Sequence, residues 1–159
     1  GEEGRGPVVE KVLADLTAEG KKPYNIPAGA SNAIGSMGYV NAGRELITQW
    51  NDMGISPSHI FTATGSCGTA AGLLMGLRYF GNTTTNGKAY GYPTEAGIAA
   101  LRMTAEKEGV LLDPVYTSKA MSGVIDMVKN NTLENAKDVV FLHTGGAPAI
   151  HPYAEYFKV

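Results

Sequence analysis

The chain has 159 residues, 43% of them hydrophobic, and a formal net charge of -2. That length suits one domain around a single core, and nothing in the near-neutral charge points to nucleic acid or an anionic membrane surface. One cysteine excludes an internal disulfide and fits a reducing, cytoplasmic compartment, and no stretch reads as a membrane span or a signal peptide.

The 21 glycines sit at element junctions and form no repeat, which argues for many tight turns and against disorder. Pro7 suits a first helical position, Val8, Val9, Val12, Leu13 and Leu16 follow at helical spacing, and Gly20 can close that helix. Pro23 to Pro27 reads as a short strand ending in a loop, and Ala28-Gly29-Ala30-Ser31-Asn32 as a turn or helix cap. A helix is expected from Ile34 or Gly35 to about Asn51, with Tyr39, Leu46, Ile47 and Trp50 inward and Gly54 as its stop.

The stretch that organises the chain comes next. Ile60 to Ala63 is a short apolar run, Thr64-Gly65-Ser66-Cys67-Gly68-Thr69 is a turn, and an apolar small-residue helix follows to Tyr79. The first N–H groups of a helix lack partners within it and its dipole adds positive charge there, so such a turn can receive an anion. The P-loop lysine of GxxxxGK[ST] is absent and so is the dinucleotide GxGxxG, which leaves a cup for one phosphate or a tight turn with no ligand.

After Tyr79 the alternation of strand and helix breaks. A polar, glycine-rich run from Phe80 to Pro93 stands where a strand is due, and a loop of that length is unusual inside a compact domain. A helix from Thr94 to Glu108 follows directly. Alternation resumes with the short apolar run Val110 to Leu112. A loop from Asp113 to Thr117 leads to a helix from Ser118 to Lys129 with Met121, Ile125 and Val128 inward. Asp138 to Leu142 is a buried strand that empties into His143-Thr144-Gly145-Gly146. A terminal helix or helical turn covers Ala147 to Phe157, with Pro152 disturbing it.

This order predicts an α/β fold: a three-layer, mostly parallel, doubly wound sheet with helices on both faces, in one unit over residues 1–159. In such sheets a ligand lies beyond the carboxyl ends of the strands, where the turns 29–32, 64–69, 113–117 and 143–146 should meet. They bring hydroxyls, glycines, an amide and a tyrosine, but no carboxylate pair, no metal-binding set and no Ser-His-Asp order. Asp113 precedes a proline and reads as a turn or cap residue rather than an acid. Tyr116, Thr117 and Thr144 form a motif-like triple, which packing and capping alone would also explain.

Five segments carry a resemblance. IPAGASNAIGSMGYVNAGREL, ATGSCGTAAGLLMGL, YGYPTEAG, GVLLDPVYTSKAMSGVID and FLHTGGAPAIHPYAEYF occur in that order over roughly Lys21 to Phe157. Together they resemble the D-cysteine desulfhydrase and 1-aminocyclopropane-1-carboxylate deaminase family of pyridoxal 5'-phosphate enzymes. The resemblance implies the tryptophan-synthase-β-like fold (fold type II), a small amino-acid substrate and a homodimer. It implies that Thr64, Gly65, Ser66, Cys67, Gly68 and Thr69 hold the cofactor phosphate and that Thr117 and Thr144 face the pyridine nitrogen. Tyr116 and Tyr90 would be the active-site tyrosines, and Ser31 and Asn32 would meet the substrate. No metal is implied.

The deaminases carry glutamate where this chain has Thr117. A threonine supports the protonated ring less, so the resemblance favours the desulfhydrase branch, with deaminase or a non-catalytic phosphate-binding fragment as alternatives. Cys67 stands where many relatives have glycine, and Ala30 replaces a glycine of the GGSN turn. The family's Schiff-base lysine lies in an N-terminal region without a counterpart here, and further elements are missing near residues 80–90. By resemblance Lys119 is not that lysine. His143 reads as structural.

Overall fold

The computed structural model describes residues 4–81 and 93–157. Helix α1 (Arg5–Ala18) ends at Gly20, whose φ is +76°, and the N–H of Lys21 returns to the carbonyl of Leu16. No residue of α1 is buried, and Val8 and Val12 are exposed. Its apolar stripe therefore adds nothing to the core. Residues 23–27 form no strand, and Tyr24 and Ile26 are about 70% exposed. A strand exists through a hydrogen-bonded neighbour, and the described residues offer this segment none.

A single 3-10 turn, Ala28–Ala30, leads into α2 (Ala33–Met53). The side chain of Asn32 caps α2, its Oδ1 accepting from the N–H of Gly35 at 2.8 Å, and Gly54 closes the helix in the left-handed conformation. Strand β1 (His59–Thr62) follows, then α3 (Gly68–Phe80), α4 (Glu95–Glu108), α5 (Thr117–Lys129), strand β2 (Val139–Leu142) and a 3-10 stretch over Ala147–Phe157. Thr94 caps α4 by accepting from Gly97 N–H, and Pro152, which has no N–H to donate, lies inside the irregular terminal stretch.

The two strands are parallel, with His59 opposite Val139 and Thr62 opposite Leu142. A parallel pair requires a crossover, and α3, α4 and α5 all lie on it. The α/β class expected from the sequence is the class observed, with two strands of the sheet among the described residues. Its core joins Trp50 from α2, Ile60 from β1 and Leu77 from α3, flanked by Leu46, Ile47, Ile55 and Val140. The helices α2 and α3 pack backbone to backbone: a Cβ at Gly43 would stand 2.9 Å from Leu77 N, and one at Gly76 would strike the backbone of Val40. Helix α4 packs on α5, and α5 lies against β1. One expected inward residue of α5 is misplaced by periodicity: Val128, in the helix's last turn, is 58% exposed.

Candidate functional site

The turn from Thr64 to Cys67 carries the chain from β1 into the first turn of α3. Cys67 is the N-cap residue, with φ +67° and ψ -6°, and no side chain caps this helix. The other two helix starts in these turns each receive a side-chain oxygen, α2 from Asn32 Oδ1 to Gly35 N–H and α5 from Asp113 Oδ2 to Thr117 N–H. The start of α3 is thus the one of the three whose first N–H groups receive no side-chain acceptor. Cys67 stands where many relatives have glycine and is strained there, since the left-handed region disfavours a residue with a Cβ. Ala30, at φ +48°, repeats the situation in the neighbouring turn.

The turn 28–32 sits directly on this cup. Ser31 Oγ donates to Ser66 Oγ at 2.5 Å. A Cβ on Gly68 would lie 2.9 Å from Ser31 Oγ, and a Cβ on Gly29 would run into the side chain of Ser66. The two turns can meet this closely because glycine stands at both points of contact. Among the residues assigned to substrate, Ser31 therefore faces the cup, whereas the amide of Asn32 is engaged in capping α2.

The third turn is closed by Asp113, which is 2% exposed. Its Oδ1 accepts from the N–H groups of Val115 at 2.9 Å and Tyr116 at 2.7 Å. Its Oδ2 accepts from Thr117 N–H at 2.8 Å and from Thr117 Oγ1 at 2.6 Å. The sequence reading of Asp113 as a turn and cap residue holds. Thr117 is fully buried, and its Oγ1 also accepts from the N–H of Asp113 at 2.8 Å. Tyr116, by contrast, is 39% exposed. The fourth turn lies against the third, because a Cβ on Gly146 would stand 2.9 Å from Asp113 Cβ.

These contacts bring the four turns together. Turn 28–32 touches turn 64–69, and turn 113–117 touches turn 143–146. The pairing of Thr62 with Leu142 sends turns 64–69 and 143–146 out from adjacent strand ends. Thr144 is exposed in the last of these. Tyr90 lies outside the described residues. What the sequence reading missed is the bonding of Thr117 to Asp113 and the seat of Gly146 on that carboxylate. The spacing D-P-x-x-T was the available signal, since an aspartate commonly accepts from N–H groups two to four residues on.

Two other features stand apart. A cavity of about 550 Å³ is lined by Pro93, Thr94, Ile98, Arg102 and Tyr156 among others, none of them in the four turns. Among the described residues no helix is long and apolar enough to cross a membrane, and no group of three His, Cys, Asp or Glu side chains could hold a metal ion.

The fold is α/β, with an uncapped strand-to-helix turn at the carboxyl end of a parallel strand pair. Comparison with known proteins is specific. The chain is homologous to D-cysteine desulfhydrases: it is 34% identical to that of Klebsiella pneumoniae over 187 residues, covering 91% of this chain and 57% of the relative. The D-cysteine desulfhydrase of Serratia proteamaculans is likewise 34% identical, over 190 residues. Among solved structures, an ACC deaminase homologue superposes with a TM-score of 0.75 at 27% identity, covering 92% of this chain and 56% of that one. No protein-family model matches. The resemblance read from the five segments is therefore shown. The chain spans a little over half the length of these relatives, and about 40 of the 187 aligned residues have no counterpart in the matched 91% of its 159 residues.

Proposed function

We propose that these residues form the cofactor-phosphate half of a pyridoxal 5'-phosphate lyase of the D-cysteine desulfhydrase type. The whole enzyme converts D-cysteine and water to pyruvate, hydrogen sulfide and ammonia. The observation that carries this reading is the uncapped start of α3, entered through Gly65 and Gly68, with the turn 28–32 bonded against it and the turn after β2 leaving the adjacent strand end. Its unpartnered N–H groups fit a phosphate monoester, which needs several donors and gains from the helix dipole. Pyridoxal phosphate, when bound, supplies the electron sink for breaking bonds at the amino acid's α-carbon.

The chain's own residues orient and donate. Residues 64–69 hold the phosphate through backbone N–H groups, Ser31 presents a hydroxyl beside it, and Tyr116 and Thr144 present exposed hydroxyl-bearing side chains on the far turns. None of the nine lysines is assigned to hold the cofactor covalently. That role falls to a region of the relatives without a counterpart here, and the shortfall of aligned residues is assigned to the neighbourhood of 80–90. The full enzyme is a cytoplasmic homodimer in this reading. The structural likeness to an ACC deaminase homologue favours deamination as the second reading.

Binding and chemistry are tested separately. The 159-residue chain should bind pyridoxal phosphate saturably, inorganic phosphate should compete, and no hydrogen sulfide should be released from D-cysteine. Borohydride treatment followed by mass spectrometry should find no lysine adduct. Cofactor fixed stoichiometrically to one of these lysines would overturn the division of labour, and an affinity indifferent to phosphate would remove the cup. In the complete enzyme, ammonia from 1-aminocyclopropane-1-carboxylate without hydrogen sulfide from D-cysteine would favour the second reading.

A further inference from the structure

We propose that Asp113 is the positioning residue of this site: it braces the Tyr116 turn against the Thr144 turn and withdraws the Thr117 hydroxyl from any ligand. The proposal rests on the reading that the four turns form one ligand site, but the brace can be tested without a ligand. The carboxylate accepts four hydrogen bonds, from three successive N–H groups and from Thr117 Oγ1. Charge-assisted bonds of this kind are the strong ones. The Thr117 hydroxyl gives its one proton to Asp113 Oδ2 and accepts from Asp113 N–H, and the residue has no exposed surface. It has no donor and no accessible face left for a ring nitrogen.

The other side of the brace is Gly146. Its φ is +100°, and a Cβ there would lie 3.0 Å from Asp113 Oδ2 and 3.1 Å from Cγ. Only glycine lets the turn after β2 rest on the carboxylate. Behind that contact the N–H of Ala149 donates to the carbonyl of Gly146 at 2.9 Å, so the start of the terminal 3-10 stretch is tied to the same point. Tyr116 depends on the carboxylate directly, since its own N–H donates to Oδ1. Tyr116 and Thr144, which reach solvent in these two turns, are thus held in place by a side chain that does not.

The test uses Asp113→Asn, Thr117→Val and Thr117→Ser in the 159-residue chain. Amide exchange is read at residues 143–149, and the affinity for pyridoxamine 5'-phosphate, which needs no lysine, is read by fluorescence. Asparagine keeps the volume and Oδ1, but its amide cannot accept from Thr117. Exchange across 143–149 should rise about tenfold and affinity fall about tenfold, while exchange in β1 and affinity for inorganic phosphate stay within about twofold. Thr117→Val should move exchange and affinity together, and Thr117→Ser should restore both. Unchanged exchange at 143–149 in Asp113→Asn would overturn the brace, and so would an equal rise in β1. Lost affinity in Thr117→Val with exchange unchanged would put the hydroxyl on the ligand. A wild-type chain that binds no pyridoxamine phosphate would defeat the proposed function alone, leaving exchange to decide the brace.

Discussion

Cys67 shows a side chain held where its backbone disfavours it. A left-handed conformation costs a residue with a Cβ about 1–2 kcal/mol, and glycine returns about 0.5–1 kcal/mol of that through its greater freedom when unfolded. Cys67→Gly should therefore stabilise the chain by about 0.5–1 kcal/mol, raising its melting temperature by about 1–4 °C in calorimetry. A lower melting temperature would mean that the thiol, whose Sγ lies 3.7 Å from the carbonyl of Gly65, contributes more than the strain costs. Asn32 poses a different question, because its amide caps α2. Asn32→Ala should destabilise by about 1 kcal/mol in urea unfolding, with Asn32→Ser recovering most of it. A substrate-binding role alone would leave stability untouched.

At the scale of elements, the closest packing lies between α2 and α3, where glycines meet backbone. Gly76→Ala places a methyl group against the main chain of Val40, which no rotamer change can relieve. The helices must separate, at a cost of about 1–3 kcal/mol, and chemical denaturation should show a reduced midpoint with an unchanged slope. Leu77→Ala, in the core beside Trp50 and Ile60, should cost about 2–5 kcal/mol through the cavity it leaves. Although α3 also carries the cup, Gly76 and Leu77 lie about two turns beyond its start, so both changes should weaken phosphate binding only when the chain unfolds. Loss of binding in the folded state would show that the cup moves with the helix.

At the scale of the molecule, the described residues leave large apolar side chains uncovered. Ile34 at 75% and Tyr79 at 80% exposure stand out, and α1 buries none of its valines. A single domain normally covers such side chains. The 159-residue chain should accordingly bind a hydrophobic dye with a several-fold rise in fluorescence and show concentration-dependent association in sedimentation. A dye-silent, monomeric chain at high concentration would mean that these side chains find cover within the chain in solution.

Helix spans were legible because capping and stop residues act within a few positions: Asn32, Gly54 and Thr94 mark ends that periodicity alone blurs. The cup was legible for the same local reason, since β1, a small-residue turn and the start of α3 are contiguous. Two kinds of feature were not. Whether residues 23–27 become a strand depends on a partner elsewhere in space, and whether Val128 or Val8 is buried depends on what packs over it. The state of Thr117 belongs with these. The family resemblance implied a hydroxyl facing the pyridine nitrogen, but the fold buries it against Asp113 and sets Gly146 on the carboxylate. Short-range hydrogen bonding is written in adjacent residues, whereas burial is a property of the distant segments that happen to arrive.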